Sequence, residues 1–253
     1  MNGAFYIAAT GLDAQQRALD VTANNIANIN TTGFKRSVVR FSDLVSASEA
    51  TDVVPLPSLR AIGVSASSVS HVWDQGAIRQ TGNPMDLAIE GRGFVEMIGP
   101  GGRTLLWRGG GLKINADGYL SAGDGTLLKA MISVPRDATA LSIAEDGTVT
   151  ATVPDTTDPV SLGQIELVTP RDAGELQDLG GGYYVASSDE LETIDSEAEG
   201  ANSRIVQGSL EGANLQLSDE MVTLLLVQRA YSANAQVVQA GDQIMSIINN
   251  LRR

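Results

Sequence analysis

Apolar residues recur at seven-residue spacing near the start of the chain, at Phe5, Leu12, Leu19 and Ile26. Smaller apolar residues at the interleaved positions complete one stripe, which is the pattern of an amphipathic helix. The spacing predicts a helix from about residue 4 to residue 29. Gly33 is the expected left-handed stop beyond it.

The other end of the chain carries a wider apolar pattern. One ladder contains Leu217, Leu224, Tyr231, Val238 and Met245, and a second contains Ala230, Val237, Ile244 and Leu251. Together they predict a helix over 219–251 with Ser218 as its N-cap. Gly241 lies inside this helix, at a cost of about 1 kcal/mol relative to Ala.

Neither amphipathic helix can bury its stripe alone, so the two are expected to pair as a coiled coil. The two-ladder face is wider than one partner covers, which points to further partners. A core in which both helices cover the chain's own sheet fits the pattern equally well. Four asparagines, Asn24, Asn25, Asn28 and Asn30, end the first helix. Asn24 and Asn28 share a face, where amides can fix helix register, and fraying into a turn is the alternative at Asn30.

The segment between the helices has a different pattern. Residues 37–75 predict an extended arm or loop that ends in a strand near residues 64–73. From residue 82 onward, short alternating segments are separated by Gly, Asn and Asp turns. Two of them, 85–89 and 95–97, predict a hairpin around Gly91-Arg92-Gly93, and others follow at 149–153, 160–168 and 183–186.

The predicted fold class is therefore α+β, with a mainly antiparallel β domain between two long terminal helices. We expect a helical domain from 1–34 and 212–253, an extended or β connector from 35–75 and 203–211, and an outer β domain from 76–202.

Charge excludes several functions. The 253 residues include 17 Lys and Arg against 30 Asp and Glu, a net charge of −13, and residues 37–204 hold all of the excess. Such a chain repels nucleic acid. The chain has no cysteine and one histidine, His71, so thiol chemistry is absent and any Ser-His-Asp triad needs His71, which lies in a strand-like stretch. No signal peptide and no membrane span are expected, because no apolar run is long enough.

Other polar patterns are better explained as turns or surface. Gly91-Arg92-Gly93 and 99–102 lack the phosphate-loop pattern. Asn115, Asp117, Asp124 and Asp146 do not form a calcium loop. The many carboxylates of the middle segment could supply a glycosidase pair, but no two stand out. The acidic run 189–199 is typical of a solvated surface. We expect no metal and no cofactor.

Three motifs in order resemble those of bacterial flagellar rod and hook axial proteins. They are residues 23–35 (ANNIANINTTGFK), residues 75–94 with GAI and TGNPMDLAIEGRGF, and residues 208–214 (GSLEGAN) followed by Glu220-Met221 and Gln228-Arg-Ala-Tyr231. The motif turns contain Gly33, Phe34, Asn83, Pro84, Gly91, Gly93 and Gly208. Residues 11–16 and 41–44 are most similar to distal rod subunits, with proximal rod or other axial subunits as the alternative. Residues 107–113 (WRGGGLK) depart from the family pattern, since Leu112 replaces an aromatic residue and three glycines are expected to loosen a hairpin.

The resemblance implies a non-enzymatic subunit that polymerises helically into the hollow drive shaft of the basal body, with terminal helices inside and the β domain outside. It implies contacts with adjacent rod and hook proteins and surrounding ring proteins, and export through the flagellar type III apparatus without a cleaved signal peptide. Phe41, Leu44 and Val45 resemble an export signal. Two other functions remain open from the residues: a periplasmic hydrolase that acts on peptidoglycan with a carboxylate pair, and a monomeric binding module.

Overall fold

The computed structural model describes residues 2–47, 59–154, 158–186, 191–194 and 203–251. The chain forms two compact units. The first, here the helical unit, contains 1–27, 36–72 and 215–253, and the second, here the β unit, contains 28–35 and 73–214.

Both predicted terminal helices are present in the helical unit, as α1 (Asn2–Ala27) and α2 (Leu217–Leu251). Their positions follow from the heptad patterns, and Gly33 has the expected positive φ of 69° after α1. The predicted N-cap is wrong. Because α2 begins at Leu217, Ser218 lies in its first turn, with its hydroxyl 3.4 Å from the Asp219 carboxylate.

The two helices pack against each other in antiparallel orientation. Asn25, near the end of α1, is hydrogen-bonded to Glu220 at the start of α2, whereas a Cβ on Gly241 would overlap the ring of Phe5. At about 1.5 Å per residue, the 35-residue α2 is roughly 13 Å longer than the 26-residue α1. Gly241 therefore has a packing role, because it leaves room for the Phe5 ring.

Small and polar residues form the buried stripe of α1: Ala8, Gly11, Ala14, Ala18, Thr22 and Asn25. A Cβ on Gly11 would lie 2.8 Å from the Asn234 side chain, so the helix backbones approach closely there. The predicted ladder of larger residues lies beside this stripe and is half-buried.

Residues 37–47 and 59–71 form two long paired strands where an arm or loop was expected, and the strand predicted near residues 64–73 is part of the second of them. Strands β1 (Ser37–Ala47) and β2 (Leu59–His71) pair antiparallel from Ser37 opposite His71 to Ala47 opposite Leu59, with two bulges. Both strands contact α1. Pro55 and Pro57, which belong to the segment predicted as an arm or loop, lie outside the described residues.

The described part of the β unit contains short antiparallel strands. They are β3 (Ile78–Gln80), β4 (Asp86–Glu90), β5 (Phe94–Ile98), β6 (Thr104–Trp107), β7 (Gly109–Ile114), β8 (Leu120–Ala122), β9 (Leu127–Leu128), β10 (Ala140–Ile143), β11 (Thr148–Thr152), β12 (Val160–Gln164), β13 (Leu167–Pro170), β14 (Gln177–Gly180), β15 (Tyr183–Val185), β16 (Leu191–Ile194), β17 (Arg204–Gln207) and β18 (Ser209–Glu211).

One large sheet has the strand order β14-β15-β6-β5-β9-β8-β7-β4-β17, with β13 pairing β5 and β16. Strands β10-β11-β12 form a second sheet, and β3 pairs β18. The core between strands is aliphatic around Leu87, Met97, Leu120 and Leu128. The rings of Trp73, Phe94 and Tyr184 pack edge to face in a separate cluster. The predicted antiparallel β domain is confirmed, although the predicted strand 160–168 is divided into β12 and β13. Most of the acidic run 189–199 lies outside the described residues.

The predicted hairpin around residues 91–93 is wrong. Strands β4 and β5 are consecutive but do not pair, since β4 pairs β7 and β17 while β5 pairs β6, β9 and β13. Gly91 and Gly93 both have positive φ, 95° and 128°. Their carbonyls accept hydrogen bonds from Arg108, so the connection wraps around a guanidinium group.

Within the described residues, neither helix combines the length and the apolar character that a membrane crossing requires.

Candidate assembly site

The three sequence motifs meet in the β unit. The Gly33 backbone N–H donates to the Glu211 carbonyl at 2.9 Å, which joins the first motif to the last. Arg108 donates to the carbonyls of Gly91 and Gly93 in the central motif and, through Nε, to the Glu211 carboxylate at 2.9 Å. We call the cluster of Lys35, Gly76, Arg108 and Glu211 the motif junction.

A single buried carboxylate organises the motif junction. Glu211 Oε1 accepts from Lys35 Nζ at 2.7 Å and from the Gly76 backbone N–H at 2.8 Å, while Oε2 faces Arg108. The side chains of Lys35, Arg108 and Glu211 are 1%, 4% and 1% exposed. Two cations surround one anion away from water, so each depends on the carboxylate for its charge balance.

The pKa of the Lys35 ammonium group is shifted by these surroundings. Burial, and then repulsion from Arg108, hold its pKa below the ordinary 10.5, although Glu211 attracts the proton. An unfolded chain therefore binds this proton up to higher pH than the folded chain. By linkage, Lys35 makes the free energy of unfolding rise with pH between its pKa in the folded chain and its pKa in the unfolded chain.

The sequence did not predict the ion pair of Arg108 with Glu211. Arg108 lies in the segment that departs from the family pattern, where a loose hairpin was expected. In the structure, Gly109–Ile114 forms strand β7 and Leu112 is buried in the core, while Gly109 and Gly110 have positive φ of 105° and 147°. A Cβ on Gly110 would lie 2.9 Å from the Trp107 ring, so this glycine permits close packing.

The turn of Asn83 and Pro84 is held by the segment that contains Gly208. The Gly208 carbonyl accepts from the backbone N–H groups of Thr81 and Gly82, at 2.8 and 3.1 Å. Asn83 Oδ1 accepts from the Met85 N–H at 3.2 Å, and the Pro84 carbonyl accepts from Gln207 at 2.7 Å. The predicted motif turns thus contact one another, and Phe34 is buried in the same unit.

Gly76 gives a steric test of the motif junction. A Cβ at this position would overlap the backbone carbonyl oxygen of Gly212. We expect Gly76→Ala to lower the free energy of unfolding by about 1–3 kcal/mol, as overpacking does. Gly111→Ala is the matched control, since its nearest neighbour would be Asp86 Oδ1 at 3.6 Å. Urea denaturation compares the two variants, and equal midpoints would contradict the close packing.

The helical unit has its own buried polar cluster. Glu220 is buried and accepts from Arg36 Nε at 2.5 Å and from Asn25 Nδ2 at 3.2 Å. The Asn25 amide also donates to the Ser37 carbonyl and accepts from the Ser37 N–H, at 2.9 and 3.0 Å. Asn25 therefore ties the end of α1 to the start of β1 and of α2.

The other predicted helix residues divide by exposure. Phe5, Leu12, Leu19, Ile26, Asn28, Leu224 and Val238 are half-buried, and Asn24, Gln228, Tyr231 and Met245 are exposed. Asn25, rather than Asn24, is thus the buried amide of the helix pair. At about 100° per residue, the ladder of Leu224 and Val238 lies on the side of α2 that faces α1.

The opposite side of α2 carries two groups of exposed apolar residues, with the exposed Arg229, Ser232 and Gln236 between them. These apolar residues, here the outer face of α2, are Met221, Val222, Leu225, Leu226, Val237, Ile244 and Ile247. They include the second predicted ladder at Val237 and Ile244. Clusters of large exposed apolar residues are typical of a protein interface.

The residues that resemble an export signal lie in β1. Phe41 is exposed and Leu44 is half-buried. Val45 belongs to the same strand, opposite Ala61.

The described residues contain no group of three or more His, Asp or Glu side chains that could hold a metal ion. His71 Nδ1 lies 3.2 Å from Ser37 Oγ, at the base of the β1–β2 hairpin. Glu96 and Glu166 line one cleft of the β unit, where Glu96 pairs with Lys129 at 2.8 Å.

The described residues thus form an α+β architecture of two units, with long terminal helices in one and a buried charge junction in the other. Three family descriptions match the chain in order: "Flagella basal body rod protein" at residues 5–35, "Flagellar hook protein FlgE/F/G D1 domain" at 88–151, and "Flagellar basal body rod FlgEFG protein C-terminal" at 206–251.

Full-length relatives agree with these matches. The chain is 36% identical to the flagellar basal-body rod protein FlgG of Agrobacterium fabrum, over 97% of this chain and 98% of the relative. It is 32% identical to FlgG of Borreliella burgdorferi over 100% of both chains, and 32% identical to FlgG of Caulobacter vibrioides over 97% of both.

The chain belongs to the flagellar basal-body rod protein family. It is a structural axial subunit of the distal rod and not an enzyme. This confirms the function predicted from the motifs and does not favour the alternatives.

Proposed function

We propose that the chain polymerises helically through its terminal helices, with the outer face of α2 against neighbouring copies. Residues 1–34 and 212–253 form an inner coiled-coil layer around a channel. Residues 35–75 and 203–211 connect this layer to an outer β domain of residues 76–202. The assembled shaft transmits torque toward the hook.

The outer face of α2 is the observation that supports this proposal. A helix with one side on α1 and large apolar residues on the other exposes more apolar surface than a monomer needs. The same surface in every copy makes a contact that need not close on itself, and such contacts generate filaments. Tyr6 and Ile7 of α1 are also exposed, and they extend the apolar surface available to a neighbour.

Further partners follow from family membership. Polymerisation with other rod and hook axial proteins is implied by the family. We propose that ring proteins surround the outer β domain. We also propose that the chain lies in the part of the rod that crosses the periplasm. We also propose export through the flagellar type III apparatus, with Phe41, Leu44 and Val45 as a contact. The strongly acidic middle segment supports an outward, solvated position for the β domain.

Charge on the outer face of α2 tests the proposal. We expect Leu225→Lys with Leu226→Lys to abolish rod assembly and swimming when this variant replaces the native chain, because each subunit contact then buries unpaired ammonium groups. Leu179→Lys is the control, since Leu179 is 59% exposed and Leu226 is 60% exposed. It lies in the β unit and is expected to leave swimming intact.

Two outcomes would contradict the proposal. One is normal motility of the α2 variant, and the other is equal loss in both variants. A purified chain that stays monomeric at all concentrations would favour the alternative of a monomeric binding module. Circular dichroism of the secreted or purified variants separates loss of assembly from loss of folding.

A further inference from the structure

Three hairpin turns of the β unit share one construction around an Asp-Gly pair. They are residues 115–119 (NADGY), 122–126 (AGDGT) and 144–148 (AEDGT). In each, the glycine N–H donates to the carbonyl three residues earlier, at 3.1, 2.9 and 3.0 Å. The glycines have φ of 88°, 95° and 90°, as in three-residue hairpin loops with a G1 bulge.

The carboxylates of two of these turns are held in place. Asp124 Oδ1 accepts from the Thr126 N–H and from the Tyr183 hydroxyl, both at 2.9 Å. Asp146 accepts from the Thr148 N–H at 2.9 Å and from the Thr148 hydroxyl at 2.7 Å. For Asp124, burial acts against ionisation, but these hydrogen bonds outweigh it and lower the pKa; for Asp146, the Thr148 N–H is the main cause of a lowered pKa.

The third turn lacks this restraint because of Asn115. The Tyr119 N–H, which corresponds to those of Thr126 and Thr148, donates to Asn115 Oδ1 at 2.8 Å. The other two turns have Ala122 and Ala144 where this one has Asn115. No side chain at those positions competes with the aspartate for the backbone N–H. Within the described part of the chain, the exposed Asp117 carboxylate has no hydrogen-bond donor.

We propose that Asp117-Gly118 is a site of aspartate isomerisation, a covalent modification that needs only water. The Gly118 backbone nitrogen attacks Cγ of Asp117 in its carboxylic acid form. A C–N bond forms, the C–OH bond breaks, and the OH group leaves as water with the amide proton. Water then adds to one carbonyl of the resulting succinimide ring. Opening at the Cα carbonyl gives isoaspartate, and opening at the other carbonyl restores aspartate.

Two features favour residue 117 over the other two aspartates. Its unrestrained carboxyl group can rotate toward the Gly118 nitrogen, whereas those of Asp124 and Asp146 must first break hydrogen bonds. Those bonds also lower the pKa of Asp124 and Asp146, which reduces the share of the electrophilic carboxylic acid form at these two residues. Isoaspartate places an extra carbon in the backbone, so it disturbs the bond from the Val134 N–H to the Gly118 carbonyl, which measures 2.8 Å.

Incubation of the purified full-length chain at neutral pH, followed by peptide mapping with mass spectrometry, tests the proposal. We expect isoaspartate to form roughly tenfold faster at residue 117 than at 124 or 146, the factor that one lost charge-assisted hydrogen bond represents. In concentrated urea, the three sites are expected to react at similar rates. Equal rates in the folded chain, or the same preference in urea, would overturn the proposal.

Two substitutions test whether Asn115 controls the rate of isomerisation at residue 117. Asn115→Ala frees the Tyr119 N–H for the Asp117 carboxylate and is expected to slow isomerisation at 117. Ala144→Asn introduces the competitor into a restrained turn and is expected to speed isomerisation at 146. If neither rate changes while hydrogen exchange shows both hairpins intact, Asn115 does not control the reaction and the proposal fails. None of these outcomes depends on rod assembly.

Discussion

Replacing Glu211 with Gln is expected to destabilise the β unit by about 3–5 kcal/mol, the usual cost of removing one partner from a buried ion pair. Glutamine has nearly the same shape, so no cavity forms. What is lost is the negative charge that Lys35 Nζ and Arg108 Nε approach at 2.7 and 2.9 Å. Two buried cations then face each other across a neutral amide.

Urea denaturation followed by tryptophan fluorescence measures this effect, because both tryptophans, Trp73 and Trp107, lie in the β unit. Urea is preferable to guanidinium chloride, which screens charges. Glu192→Gln is the control. Its exposed carboxylate lies 3.7 Å from Arg171 Nε, and exposed pairs contribute about 0–1 kcal/mol.

A second substitution strengthens this test. Lys35→Met added to Glu211→Gln removes one of the two stranded cations, so the double variant is expected to regain part of the lost stability. A Glu211→Gln midpoint no lower than that of Glu192→Gln would show that the motif junction does not stabilise the β unit. Additive losses in the double variant would show that Lys35 and Glu211 are not coupled.

Replacing Asn25 with Asp is the second substitution with a large expected effect. It is expected to lower the free energy of unfolding of the helical unit by about 3 kcal/mol. The new carboxylate would face the Ser37 carbonyl and the buried Glu220 carboxylate, which the native amide nitrogen approaches at 2.9 and 3.2 Å. Arg36 Nε pairs with the other oxygen of Glu220 at 2.5 Å and offsets part of the repulsion, but a buried pair of like charges is still strongly unfavourable.

Asn24→Asp is the matched control for this substitution. Asn24 precedes Asn25 and is exposed, so both variants place a negative charge near the end of α1, where the helix dipole disfavours it by about 0.3–1 kcal/mol. Hydrogen exchange of the α1 amides compares them. The Asn25→Asp deficit is expected to shrink in acid, because one of two neighbouring carboxyl groups then binds a proton. Equal exchange in both variants at neutral pH would contradict the role of Asn25.

The sequence predicted both helices well, because a helix is local and heptad spacing reveals it directly. It did not predict which residues α1 buries. Large apolar residues were expected on that face, but the close approach of the backbones favours Ala8, Ala14 and Ala18, with Gly11 opposite Asn234.

The sequence predicted that the β unit consists of short antiparallel strands, but it did not predict which strands pair. Turn residues mark where strands end, and the Asp-Gly turns were located correctly. The connection at Gly91 and Gly93 has the sequence of a hairpin, yet its conformation depends on Arg108. A bond between residues as far apart as Arg108 and Glu211 leaves no periodic signal, so the motif junction was visible only in the structure.

We expect the outer face of α2 to join copies of this chain into a rod. Sedimentation and negative-stain imaging can compare the purified native chain with the Leu225→Lys, Leu226→Lys variant over a range of concentrations. The native chain is expected to form filaments or large oligomers that grow with concentration, and the variant is expected to stay monomeric. Equal assembly by both chains would contradict it.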